Sequence, residues 1–245
     1  MNDKKRLYFI LLNRKLFFFI VLFVILVSLS TINFTTSQKI ESVIYTPEDN
    51  IYYQGNQDAI SFKINVAWGE EYIPEMLAIL ADNDIKATFF FVGTWVEKFP
   101  EKLKEIKAAG HEIANHGYRH YHPKQLSQQQ LIDLIKENEK LIEKEIAYKT
   151  ELFASPYGEV NDNIVKTASS LGYKTIMWTI DTIDWQRPAP EVIVRRVEEN
   201  LQSGAIILMH PTEVTVEALP EIIDIIQNQG YEFNSISELI RRNNN

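Results

Sequence analysis

The sequence predicts an α/β protein: a (β/α) barrel of about seven strand–helix units, preceded by an N-terminal membrane-anchor helix. Three observations predict it. From Asn56 onward, short β-favouring runs alternate with helical patterns, and such a series makes parallel strands joined by right-handed crossovers. The nine glycines form no Gly-x-Gly cluster, which removes the fingerprints of a nucleotide-binding open sheet. A basic N-terminus runs into a long charge-free stretch, as a segment entering a membrane does.

In chain order, residues 1–15 hold Lys4, Lys5, Arg6, Arg14 and Lys15 against Asp3, a local balance of +4. With a net charge of −8 overall, the remainder carries −12. This basic segment reads as cytoplasmic. Leu16–Val27 is an unbroken apolar run of 12 residues, the length of a signal-peptide core, and Ser28-Leu29-Ser30 is a passable cleavage site. The charge-free stretch from Leu16 to Gln38 spans 23 residues, long enough for a transmembrane helix. An uncleaved anchor over 16–32 is preferred, because serine is a mediocre cleavage residue. The protein is then expected in the cell membrane as a single-pass protein with its domain outside, or secreted if the segment is cleaved. Residues 33–55 read as a linker and 56–241 as the folded domain.

Within that domain the expected strands are Ala59–Val66, Ala87–Val92, His111–Asn115, Glu151–Ala154, Tyr173–Ile180 and Ala205–Met209, with Tyr231–Asn234 as a weaker seventh. Leu131, Leu134, Ile135, Leu141, Ile142 and Ile146 recur at helical spacing, as do Leu219, Ile222, Ile223 and Ile226. Capping boxes are expected at Thr94/Glu97, Ser127/Gln130 and Ser235/Glu238.

Composition narrows the chemistry. The acidic balance argues against nucleic acid, whose phosphates need a basic face. With no cysteine, thiol catalysis, disulfides and thiolate metal sites are excluded, so a metal would need His, Asp or Glu.

Active sites of parallel α/β folds gather at the C-terminal ends of strands. Reading just past each expected strand collects Ala67-Trp68-Gly69, Asn115-His116 with His120, Ser155-Pro156-Tyr157-Gly158, Asp181–Trp185 and His210 on one rim. His116 and His120, four apart on a helical turn, would share one face and could converge on a cation at about 2.0–2.1 Å. His210 follows a very apolar strand, so its ring is expected at the rim, where it could donate a proton. Asp184 would hold and tune it, and Trp185 would form a groove wall. His111, at the start of a strand, and His122, before Pro123, read as structural.

These residues resemble the polysaccharide deacetylases of the NodB-homology type, carbohydrate esterase family 4, and look closest to their sporulation-associated, membrane-anchored branch. The segments that carry the likeness are 64–72, 87–90, 110–116, 153–158, 181–185 and 208–210, in the family's order. The resemblance implies a distorted (β/α) barrel that removes acetyl groups from N-acetylhexosamines of peptidoglycan or chitin-like glycans. It implies a divalent ion, usually zinc, held by two histidines and an aspartate, the histidines being His116 and His120. It makes His210 the general acid, with Asp184 tuning it and Trp185 lining the substrate groove; Tyr157, Leu208 and Trp68 are expected to line the groove beside it, the aromatic rings stacking on sugar. The Tyr157 backbone N–H would help hold the oxyanion.

The departures are as informative. Where the family has a general-base Asp and a metal-binding Asp, this chain has Ala67 and Trp68; where the family's Arg orients the base, it has Ala154. Loss of a general base costs roughly 10²–10⁴ in rate. Glu70 or Glu71 could substitute as ligand or base if their loop folds inward. The sequence therefore leads to a metal-dependent N-deacetylase of cell-wall glycan weakened by these losses. The alternative is a non-catalytic glycan-binding or scaffolding member of the family in the envelope.

Overall fold

A computed structural model describes residues 50–56 and 58–241. The basic segment, the anchor and most of the linker lie outside the described residues. Among the described residues, no helix is long and apolar enough to cross a membrane.

The strands are β1 (Ile51–Tyr52), β2 (Ala59–Val66), β3 (Thr88–Phe91), β4 (Glu112–Asn115), β5 (Leu152–Phe153), β6 (Lys174–Ile176), β7 (Ile180–Asp181), β8 (Ile206–Met209) and β9 (Glu232–Phe233). The helices are α1 (Ile73–Asp82), α2 (Gly93–Lys98), α3 (Pro100–Ala108), α4 (Gln128–Ile146), α5 (Asp162–Ser170), α6 (Pro190–Asn200), α7 (Glu213–Asn228) and α8 (Ile236–Leu239). Strand order is β1-β6-β5-β4-β3-β2-β8-β7, with β9 also on β2, and every named pairing is parallel. β6 lies near one end of this path and β7 at the other, yet only Met177–Thr179 separate them in the chain. Four Cα steps span at most roughly 14 Å. The sheet must therefore curl until its ends approach, giving an incomplete barrel rather than a closed ring.

β2 shows how sequence makes the two layers. Ile60, Phe62, Ile64 and Val66 pack outward with Met76 and Leu80 of α1 and Leu219, Ile222, Ile223 and Ile226 of α7. Ala59 instead joins Phe90, Ala114, Ala154, Ile176 and Ile206, which fill the barrel. By the period-two rule Ser61, Lys63 and Asn65 share that inner face. Ile236 and Leu239 of α8 enter the same interior cluster, and the Ile236 N–H donates to Thr88 Oγ1 at the start of β3. α8 thus plugs the end opposite the C-terminal strand ends.

Several local expectations are corrected. Tyr173–Ile180 is not one strand: β6 and β7 are separated by a crossing that lets the Met177 N–H bond to Tyr52 O and the Thr179 N–H to Ile206 O. Ile51 and Tyr52, within the stretch read as linker, pair with β6; two residues are too short to show a period. The Thr94/Glu97 box does not form. α2 starts at Gly93, the Thr94 N–H bonds to Tyr118 O, and Glu97 accepts from the Tyr118 hydroxyl. The boxes at Ser127/Gln130 and Ser235/Glu238 both form.

Candidate functional site

A cavity of about 450 Å³ opens at the C-terminal ends of the strands, lined by Asn65, Trp68, His116, His120, Tyr157, Gly158, Trp178, Asp181, Trp185, Leu208 and His210. It brings together His116, His120, His210, Trp68, Tyr157, Trp185 and Leu208. Asp184 is fully buried behind His210, and Glu70 and Glu71 are outside the lining.

His116 and His120 do not sit on a helical turn. They occupy a loop after β4 in which Gly117 takes a left-handed φ of 78°. The loop is held by buried hydrogen bonds. The His116 N–H donates to Phe91 O, the Gly117 N–H to Asn115 Oδ1, and the Tyr118 N–H to Leu134 O. Asn115 Oδ1 also accepts from Asn138 Nδ2, and Asn115 Nδ2 donates to Ile135 O and to the Tyr173 hydroxyl, which donates in turn to Glu139. His116 Nδ1 is 2.8 Å from Ala154 O. A carbonyl only accepts, so Nδ1 carries the proton and Nε2 keeps a lone pair. Burial first, then the neighbouring His120, hold the His116 imidazole well below its ordinary pKa. Burial lowers His120 to about 4, helped by His210 and His122. Both rings are neutral at neutral pH.

On the opposite wall, Asp184 Oδ1 is 2.8 Å from His210 Nδ1, and Oδ2 accepts from the His210 backbone N–H and the Thr215 hydroxyl, each at 2.6 Å. A buried carboxylate with three donors is satisfied. It fixes the His210 tautomer with Nδ1–H toward the acid and Nε2 left for the cavity. Ile183, just before Asp184, is held at φ 54°, which for a β-branched residue costs about 1–3 kcal/mol.

The β2 end is different. Trp68, 41% exposed, stacks on His210 with centroids 5.1 Å apart and planes 14° from parallel. Gly69 makes this possible: at φ 81°, a Cβ there would come within 2.0 Å of Pro211 O, so the loops after β2 and β8 touch backbone to backbone. Asn65 Oδ1 is buried without a hydrogen-bond partner, on a side chain lining the cavity. Tyr157, at φ 57° and 55% exposed, is edge-on to His120 at 4.3 Å and lies flat on His122 at 3.9 Å and 8°. His122 is tied to Glu159 at 2.9 Å, so it braces Tyr157 from outside the cavity. His111 is structural: it accepts from the Ala87 N–H, and burial, with Lys86 nearby, lowers it to about 4.

The donor set does not fit a tightly held divalent ion. Catalytic zinc takes three protein ligands and keeps a fourth position for water. Here the His116–His120 pair is neutral, His210 belongs to the Asp184 wall, and the lining acid Asp181 accepts from the Ile183 N–H. Trp68 stands where the family pattern has its ligand aspartate, and among the described residues no group of three or more His, Cys, Asp or Glu could hold a metal. Glu70 and Glu71 lie in the turn before α1, not beside the imidazoles.

Two residues escaped the sequence reading, the lining Trp178 and the buried Lys63. Trp178 was absorbed into a single long strand; the break after β6 turns it into the cavity. Lys63 was hidden in an apolar run, though a lysine at an inward position of a strand buried on both faces is itself a signal. It is almost wholly buried, its Nζ 5.2 Å from the Phe90 ring centroid and 4.8 Å from that of Trp178.

Comparison with known proteins agrees with the geometry. The polysaccharide deacetylase family model matches residues 53–176. An uncharacterized Bacillus subtilis protein is 41% identical over 190 residues, covering 77% of this chain and 60% of that protein, so this chain spans less than two thirds of that relative. A peptidoglycan-N-acetylglucosamine deacetylase of Bacillus cereus is 35% identical over 192 residues, covering 76% of this chain and 90% of the relative. The crystal structure of a CE4 family pseudoenzyme from Bacillus anthracis superposes with a TM-score of 0.76 at 42% identity, over 78% of this chain and 69% of that one. A mutant of that pseudoenzyme with restored enzymatic activity gives the same TM-score at 40% identity, over 78% of this chain and 71% of the mutant's. The barrel, the order of its motifs and the paired histidines at its mouth thus have one source: the chain belongs to the polysaccharide deacetylase family.

Proposed function

We propose that this chain is an envelope glycan-binding member of its family, held at the outer face of the cell membrane through residues 16–32, that retains N-acetylated glycan without hydrolysing it. The observation that carries this reading is Trp68 stacked on His210 at the end of β2, with Ala67 beside it in the sequence. A hydrolase needs a polarised water and a base at that place; an indole and a methyl group supply neither. The pseudoenzyme relative supports the reading.

The cavity is equipped to bind. Trp68, Tyr157, Trp178 and Trp185 present apolar faces to which the CH-rich faces of a hexosamine can stack. The unpartnered Asn65 Oδ1 offers an acceptor to an amide N–H or hydroxyl, and the lone pair on His116 Nε2 offers another. Pairing such buried acceptors is where specificity arises.

The test measures retention of the chain on peptidoglycan and on chitooligosaccharide alongside acetate release with and without added zinc. Retention without acetate is expected, with Trp185→Ala weakening it about tenfold, in line with loss of a stacking anchor worth about 1.4 kcal/mol. A second reading, a slow metal-dependent deacetylase, is favoured by the intact His210–Asp184 pair. Zinc-dependent turnover abolished by His116→Ala would establish it and sink the binding-only reading.

A further inference from the structure

We propose that the hexosamine seated in this cavity carries a free amine: the site is an aromatic cage for the ammonium of a de-N-acetylated sugar within the glycan. The inference rests on the glycan-binding reading and names the sugar that occupies the cavity.

The lining carries a negative charge and no fixed positive one. Its acid is Asp181, and among the described residues it holds no lysine or arginine. Asp181 Oδ1 accepts from the Ile183 N–H, and its second oxygen has no hydrogen-bond partner among the described residues. Covering an unpaired carboxylate with a ligand strips its water, a cost that a charged donor offsets. Lys63 is not that donor. It lies outside the lining with its Nζ 4.8 Å from the Trp178 ring centroid, and no hydrogen bond or ion pair joins it to Asp181.

The remaining polar groups also suit an ammonium. His116 Nδ1 is committed to Ala154 O and His210 Nδ1 to Asp184 Oδ1, so each Nε2 is left as an acceptor. An alkylammonium has three donors and no acceptor, which matches a carboxylate and imidazole lone pairs. An acetamide offers one N–H to the same set and brings a carbonyl oxygen for which the lining has no cation. Around these groups stand Trp68, Trp185 and Tyr157, large rings exposed at the mouth. A ring face attracts a cation that lies within about 6 Å of its centroid.

The ligand's chemistry places this chain after another reaction. A free hexosamine amine arises by amide hydrolysis: water adds to the acetamide carbonyl, the C–N bond breaks, and acetate and the amine separate. The reaction that supplies the ligand is therefore N-deacetylation of the same glycan. This chain then marks where that reaction has already occurred.

The test titrates the purified full chain by calorimetry, at about pH 7 and fixed salt, with an N-acetylglucosamine tetramer and with the matching glucosamine tetramer. The glucosamine tetramer is expected to bind at least about tenfold tighter. Asp181→Asn keeps an oxygen for the Ile183 N–H and loses the charge; with its fold checked by circular dichroism, it is expected to bring the two within about twofold. N-acetyl-lysine amide, a primary ammonium without a sugar, is expected to bind at least about tenfold more weakly than the glucosamine tetramer. Equal affinity for the two tetramers, or tighter binding of the acetylated one, would overturn the proposal and leave the glycan-binding reading intact. A preference that survives in folded Asp181→Asn would overturn it too, tracing the attraction to the net charge of −8 rather than to the cage. Lysine amide bound as tightly as the tetramer would assign the ammonium to a peptide and overturn the sugar. Binding of neither tetramer would overturn both readings. Where Asp181→Asn does not fold, the two tetramers on the wild-type chain decide alone.

Discussion

On the β7–β8 wall of the cavity, one histidine and one buried acid are joined by two hydrogen bonds, the acid accepts a third from Thr215, and the turn before the acid is strained at Ile183. On the β2 wall, the positions that would generate a nucleophile hold Ala67 and Trp68, the buried Asn65 Oδ1 has no partner, and Lys63 lies buried against Phe90 and Trp178. One wall is complete as structure and the other is incomplete as chemistry. The comparison teaches that the hydrogen-bonded wall does not need catalysis to explain it. Asp184 satisfies a backbone N–H, a hydroxyl and an imidazole in the interior, and removing it would cost the fold whether or not the protein turns anything over.

The sharpest way to break the comparison follows from that. Asp184→Ala strands the His210 N–H, the His210 ring and the Thr215 hydroxyl together, and is expected to lose about 3–5 kcal/mol of stability by urea unfolding. Trp68→Ala, on the other wall, removes a partly exposed ring and is expected to lose under about 1 kcal/mol. Equal losses on the two walls would mean that Trp68 is structural cover for His210 rather than a binding surface.

A smaller effect is expected from Lys63, and its sign is fixed by burial. Burial lowers this amine from 10.5 to about 7, opposed by the nearby Asp181. Between those two pH values the unfolded chain holds a proton that the folded chain has released, so stability rises with pH from about 7 to about 10.5 and is flat below 7 on this account. Lys63→Met is expected to remove that slope, measured as unfolding midpoints in urea on both sides of neutrality. A slope that survives the substitution would place the titration elsewhere and weaken the contrast between the walls.

The strand-end rule made most of the site legible. His116, His120, Tyr157, Trp185 and His210 each follow a run of β-favouring residues, and a parallel barrel must present such positions at one mouth. What stayed hidden has physical reasons. The spacing of His116 and His120 suggested a helix because nothing local says that Gly117 will take a positive φ; that depends on Asn115 reaching the Gly117 N–H and on Asn138 reaching Asn115 from α4. Thr94 and Glu97 have the residues of a capping box but lose both partners to Tyr118, from a different part of the chain. Trp178 could not be separated from its neighbours because the break between β6 and β7 is made by hydrogen bonds to β1 and β8, not by a glycine or proline. The half-open barrel was likewise set by which strands end the path, a matter of long-range pairing.

The smallest expected effect concerns the ring between the walls. Tyr157 is exposed, sits at a positive φ that its side chain disfavours, and touches His120 only by an edge, so its position depends on what lies behind it. Behind it is His122, parallel at 3.9 Å and anchored to Glu159, whose other oxygen accepts from the Lys124 N–H. An aromatic pair of this kind contributes about 0.5–1.5 kcal/mol, less where water reaches it. His122→Ala is expected to weaken glycan retention about two- to fivefold through a less ordered Tyr157. His122→Phe, which keeps the flat face and loses only the bond to Glu159, is expected to stay near the wild-type value. If Phe falls as far as Ala, the anchor to Glu159 and not the stack positions Tyr157; if neither falls, the backbone turn alone holds the ring, and the cavity owes its shape to the strained main chain on this side as it does around Ile183.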